Sequence, residues 1–84
     1  MNYLEIKENV IKRFLVPLYK FTMIRQKRIA IKNIEERFPF KIDYDYETEI
    51  MKIYLGNDIN IEIEFEWEEK ESNGYKVYRL TAFK

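Results

Sequence analysis

Residues 59–68 read Ile59-Asn60-Ile61-Glu62-Ile63-Glu64-Phe65-Glu66-Trp67-Glu68, with an apolar side chain at every odd position and a polar one at every even position. Because successive side chains of an extended chain point to opposite faces, this alternation predicts a strand with one face against a core and the other in water. The rest of the chain has to supply that core.

Upstream, Met51, Ile53 and Leu55 lead into Gly56-Asn57-Asp58. A three-residue loop there opposes Leu55 to Ile59, Ile53 to Ile61 and Lys52 to Glu62, which keeps apolar side chains on one face. Further upstream, Phe40, Ile42, Tyr44 and Tyr46 alternate with Lys41, Asp43, Asp45 and Glu47, the pattern of another half-buried strand. Downstream, Ser72-Asn73-Gly74 turns the chain into a last strand near Tyr75 to Phe83. There Tyr75 and Val77 have one parity and Tyr78, Leu80 and Ala82 the other. A bulge near Val77 or Tyr78 would reconcile them.

A four-stranded antiparallel meander with one apolar face needs a cover, and the period ahead of Pro39 is helical. Asn2 is placed to cap a helix with Glu5 three residues on. Tyr3, Leu4, Ile6, Val10, Ile11, Phe14, Leu15 and Leu18 then fill one half of its surface. Pro17 requires a kink or a restart. A second stripe of Met23, Ile24, Ala30, Ile31, Ile34 and Phe38 follows, and Phe38, which precedes Pro39, ends it. The expected fold is α+β: a kinked helix or helix pair over residues 1–38, packed on one face of a sheet over residues 40–84, in a single domain of residues 1–84. A straight rod of ~36 helical residues measures ~54 Å, too long for so small a domain. Either the helical pieces therefore fold back near residues 16–22, or the excess apolar surface pairs with a second copy as a homodimer.

Function is bounded first by what the chain lacks. It contains no Cys and no His, which removes disulfides, Cys/His metal sites and imidazole-based triads. Ser72, Thr22, Thr48 and Thr81 are the only aliphatic hydroxyls, and none sits in a Gly-x-Ser-x-Gly turn. Gly56 and Gly74 are the only glycines, too few for a phosphate-cradling loop. No cofactor and no metal are expected, and Asp43 with Asp45 reads as two solvated charges. No stretch approaches the ~20 apolar residues of a membrane span, and Met1 to Lys7 lack a secretory layout, so a cytoplasmic protein is expected. Ile, Lys, Asn, Tyr and Phe supply 41 of 84 residues, a usage favoured by AT-rich codons and suited to a virus or mobile element of a low-GC host.

The net charge of zero conceals a division. Residues 1–42 carry ten Lys or Arg against four Glu, a net of +6, and residues 43–84 carry five against eleven Asp or Glu, a net of −6. The leading expectation is a small non-enzymatic binding protein, an accessory or inhibitory factor. Its acidic sheet face, Asp43, Asp45, Glu62, Glu64, Glu66 and Glu68, would engage a basic nucleic-acid-binding partner protein. The alternative is nonspecific DNA or RNA binding by the helical half through Lys20, Arg25, Lys27, Arg28 and Lys32, a cluster able to neutralise phosphates. A third reading is an RNase-like toxin using Tyr75, Lys76, Tyr78 and Arg79.

Overall fold

The computed structural model describes residues 2–16 and 23–84. Helix α1 spans Tyr3–Val10 and continues as a π-helical turn over Ile11–Leu15. Helix α2 spans Lys27–Arg37, and the strands β1 (Lys41–Asp45), β2 (Ile50–Gly56), β3 (Ile59–Ser72) and β4 (Tyr75–Phe83) follow. They form one antiparallel sheet in the order β1-β2-β3-β4, a meander with the helices on one face, so the chain is an α+β protein.

The Asn2 side chain accepts the Glu5 backbone N–H at 2.9 Å, as the sequence spacing requires of a cap. The wide turn lies directly ahead of Pro17, whose missing N–H removes the α-helical partner of the Arg13 carbonyl. The expected kink at Pro17 and fold-back, with Lys20 among them, fall outside the described residues. The apolar stripe of α1 also enters the core later than expected. Val10 and Leu15 are buried, whereas Leu4 is 65% exposed at the helix start.

The second helix starts at Lys27 rather than near Met23. Ile24 is extended, and its N–H and C=O both pair with Tyr78 on the open edge of β4, at 2.9 and 2.7 Å. Two backbone bonds to a strand edge outweigh the weak helical preference of this short segment.

Strand β3 is the axis of the sheet. Residues 59–64 pair with β2 and residues 65–72 pair with β4 on the other side. Ile53 opposes Ile61 and Lys52 opposes Glu62, as expected, but the loop between β2 and β3 is shorter than the expected three residues. Asn57 and Asp58 alone form it, both at positive φ, and Gly56 opposes Ile59, leaving Leu55 as the extra residue of a bulge. Two left-handed residues match the twist of a hairpin, and the bulge preserves the faces that a two-residue turn would otherwise mix. The last hairpin turns tightly at Asn73-Gly74.

The parity conflict of β4 is resolved by a bulge at Thr81, not at Val77 or Tyr78. Ala82 opposes Glu66 and Leu80 opposes Trp67, and the spare Thr81 hydroxyl donates to the Glu66 carbonyl at 3.1 Å. Tyr78, Leu80 and Phe83 therefore share the helix-covered face with Trp67 and Phe65, while Tyr75, Val77 and Ala82 look outward.

The core is wholly apolar: Met51, Ile53, Ile61, Ile63 and Phe65 from the sheet meet Val10, Leu15, Ile31 and Ile34 from the helices. The described residues extend 46 × 22 × 18 Å, longer than a compact body of this size. The excess is the β3–β4 hairpin, exposed throughout residues 69–76. Among the described residues no helix is long and apolar enough to cross a membrane.

This assignment of faces predicts that Phe65→Ala lowers the unfolding free energy by about 3–5 kcal/mol, and the outward Val77→Ala by under about 1 kcal/mol. Urea titration followed by Trp67 fluorescence measures both.

Candidate functional site

Strand β2 begins at Ile50, so the second half of β3 lies beyond its reach, and Trp67 lies there on the helix side of the sheet. Two segments come to this place: residues 23–27, tied to β4 through Ile24, and the four-residue turn 46–49 between β1 and β2. The turn is shaped by the Asp45 carboxylate, which accepts the backbone N–H of Glu47 at 2.8 Å and of Thr48 at 3.3 Å. Glu47, expected on the last residues of a strand, thus lies in a turn.

Glu49 closes that turn at φ +61°, a left-handed conformation that costs a non-glycine residue free energy. Its carbonyl accepts the Phe65 N–H at 2.8 Å, prolonging the β2–β3 ladder by one bond. One carboxylate oxygen meets the Lys27 ammonium at 2.7 Å, and the other accepts the Tyr44 hydroxyl. The same hydroxyl accepts from the Trp67 indole N–H at 3.0 Å. Lys27 also lies over the rings of Trp67 and Tyr78, 5.6 and 5.1 Å from their centroids. Burial, then the hydrogen bond to Glu49, pushes the Tyr44 phenol far above its ordinary value. Phe83, Phe65, Tyr44 and Tyr46 make successive ring contacts of 5.0, 5.2 and 4.9 Å from core to surface.

Above this anchored base lies an open cleft of about 510 Å³ lined by Arg25, Gln26, Lys27, Arg28, Tyr46, Glu49 and Tyr78. A second hollow of about 410 Å³ is lined by Arg28, Ile29, Lys32, Glu35 and Tyr46. Arg28 and Tyr46 line both. Tyr46 is 50% exposed. Burial and then the Glu35 carboxylate raise its phenol, which Arg28 partly offsets. Arg25 stacks over the ring of Tyr75 at 4.2 Å, and the Arg28 side chain donates to the Gln26 side chain at 2.8 Å. Among the described residues neither Arg25, Arg28 nor Lys32 forms an ion pair with a carboxylate.

The structure thus brings together Arg25, Lys27, Arg28 and Lys32 of the basic cluster; Lys20 is outside the described residues. The four cations read from the sequence acquire neighbours that spacing did not announce: Tyr46, Glu49, Trp67 and Tyr78, from two strands and a turn. The alternation of β3 signals an inward Trp67, but nothing local announces that Glu49 reaches Lys27 across 22 residues.

The acidic row behaves differently. Asp43, Asp45, Glu62, Glu64, Glu66 and Glu68 do share the outer face, but basic side chains are interleaved with them. Asp43 opposes Lys52, which opposes Glu62. Lys52 lies 3.9 Å from Glu62, Lys84 pairs with Glu66, and Glu68 binds Lys70 at 3.0 Å and Arg79 at 2.6 Å. Lys70 and Arg79 hold the Glu68 carboxyl below its usual range, and Glu66 raises the Lys84 ammonium above its own. Three of the six carboxylates on that face, Glu62, Glu66 and Glu68, are thus paired with four cations, and Lys41 lies over the Tyr54 ring. Among the described residues no group of three or more potential ligands is placed to hold a metal ion.

Tyr75, Lys76, Tyr78 and Arg79 do not converge. The register puts Tyr78 under Lys27, Arg79 on Glu68 across the sheet, and Tyr75 beneath Arg25.

Comparison with protein-family models, with curated proteins and with solved structures finds no match to this chain.

Tyr44→Phe leaves the Trp67 N–H without its acceptor and one Glu49 oxygen without its donor, so it is expected to cost about 1–3 kcal/mol in a urea titration. The raised Tyr44 phenol stabilises the fold fully below its ordinary value of 10.0 and loses that contribution as pH rises past it. Absorbance titration of the native protein should therefore show fewer tyrosines ionising above that pH than the urea-unfolded chain, a deficit that Tyr44→Phe reduces by one.

Proposed function

We propose that this protein binds nucleic acid, without reading its sequence, through the cationic surface at the start of α2: Arg25, Arg28 and Lys32, with Lys27 beneath them. The observation that supports this most is a placement that folding alone disfavours. A helix start carries partial positive charge, so cations there are destabilising by about 0.3–1 kcal/mol each. Yet α2 has Lys27 and Arg28 in its first turn and Arg25 just before it. It has no acidic residue in that turn and no side-chain cap.

Among the described residues, only Lys27 of these four cations is paired with a carboxylate, that of Glu49. Arg25 and Arg28 border an open cleft whose net charge, counting Arg25, Lys27 and Arg28 against Glu49, is positive, and Lys32 lines the neighbouring hollow. Unfavourable local electrostatics are tolerated where a site uses them, and a phosphate backbone supplies the missing counter-charge. The opposite face offers a basic partner little net charge, because Glu62, Glu66 and Glu68 already hold Lys52, Lys84, Lys70 and Arg79. Binding needs no catalytic step, and none is invoked.

The test is retention of labelled RNA and DNA at ~50 mM salt, with affinity falling steeply by ~200 mM as counterions are released. Replacing Arg25, Arg28 and Lys32 together by Ala should lower affinity at least about tenfold and flatten the salt dependence by about one phosphate contact per cation removed. A matched loss from Lys12→Ala with Arg13→Ala, on the other helix, or no retention by the native protein, refutes the proposal.

A further inference from the structure

We infer that the nucleic acid taken by this surface is single-stranded, and that the ring of Tyr46, which lines both hollows, acts as a stacking wall for a base in each of them. This rests on the nucleic-acid reading above and specifies its ligand.

Tyr46 is unusual among the exposed aromatic residues. It stands in a four-residue turn, and its ring is braced at 75° against Tyr44, which is itself held by Glu49 and Trp67. The ring is therefore held by one aromatic contact while the residue is half exposed. A core role does not account for it, because Tyr44 and Phe65 already close the core beneath. Fixed rings of this kind stack nucleobases at little entropic cost and with little preference among bases.

The two hollows it lines, about 510 and 410 Å³, are open clefts of small-ligand size rather than grooves the length of a duplex. Duplex DNA keeps its bases stacked inside, where a side-chain ring has no face to meet, whereas a single strand can splay its bases onto such a wall. The cations follow the same line. Arg25 and Arg28 line the first hollow and Arg28 and Lys32 the second, so each hollow that Tyr46 lines carries two cations. Arg25, already stacked on Tyr75 at 4.2 Å, presents a planar guanidinium edge for a phosphate.

Two carboxylates face this path and limit it. Glu49 is neutralised by Lys27, but Glu35, which lines the second hollow, forms no ion pair among the described residues. Phosphates are therefore expected at Arg25 and Arg28 in the first hollow, and the second, where Glu35 stands against Arg28 and Lys32, is left to take a base.

The experiment compares binding of a ~12-nucleotide oligouridylate or oligothymidylate, a duplex of equal strand length, inorganic polyphosphate and an oligoglutamate peptide, by fluorescence anisotropy at low salt. Native protein should bind the single strand at least about tenfold more tightly than the duplex. Tyr46→Ala should remove about tenfold of the single-strand affinity and leave polyphosphate binding unchanged, and Tyr46→Phe, which keeps the ring, should stay within about twofold of native. Unchanged circular dichroism shows that each variant is folded. Equal affinity for single strand, duplex and polyphosphate, unmoved by Tyr46→Ala, overturns the single-strand inference and leaves charge-driven binding standing. Oligoglutamate binding as tightly as the oligonucleotide also overturns it, in favour of an acidic protein partner. Absence of binding to any nucleic acid overturns both readings together.

Discussion

The partner exchange in the middle of β3 is the constraint from which the rest of the architecture follows. One strand of fourteen residues donates its first half to β2 and its second half to β4, changing sides at Glu64 and Phe65. Phe65 sits at the crossover, 2% exposed, with Tyr44, Trp67 and Phe83 around it. A sheet staggered in this way cannot be covered evenly by two short helices. The core collects under the overlap, the free hairpin runs on into water, and a step is left where β2 stops and β3 continues. The cleft occupies that step.

Glu49 shows how the step is finished. Its backbone continues the ladder to Phe65, and its left-handed φ aims the carboxylate back over Tyr44. The side chain then meets Lys27, so one residue joins the sheet, the turn and the start of α2. A partly exposed ion pair alone contributes little. Here, with side chains 26% and 24% accessible, the pair is joined by two further hydrogen-bonding groups and two aromatic rings, which limit the freedom of both partners. Lys27 is therefore committed to structure, and Arg25, Arg28 and Lys32 are the cations left available.

Most of the sheet was legible because its signals are local and repeated. The alternation of residues 59–68, the cap at Asn2 and the Asn73-Gly74 turn each state their own geometry. The departures arose where a long-range contact overrode a local preference. Ile24 has a helical spacing from Ile31 but takes the bonds offered by Tyr78. Leu55 is squeezed out as a bulge because the Asn57-Asp58 turn suits the hairpin twist. The parity switch of β4 occurs at Thr81, whose hydroxyl can satisfy a carbonyl at the bulge, and not at the apolar Val77 or Tyr78. Of the candidate site, the cations could be read from their clustering. Their aromatic and carboxylate neighbours could not, since Tyr46, Glu49 and Trp67 reach them only through the stagger of the sheet.

The division of charge along the chain is real, but folding does not turn it into two opposed surfaces. In an antiparallel meander a strand's neighbours come from the same half of the sequence, so the acidic half is placed against its own few cations. Lys52, Lys70, Arg79 and Lys84 lie within reach of Glu62, Glu66 and Glu68 and spend their charge there. The basic half has no such internal supply. Its four Glu lie on the helices, and one of them, Glu35, lines the second hollow with Arg28 and Lys32. Equal and opposite totals thus leave unequal remainders: a nearly neutral pleated face and an incompletely compensated helix start. For contact with a charged partner the local remainder matters more than the total, because at physiological salt charges separated by more than about 8 Å are largely screened from one another.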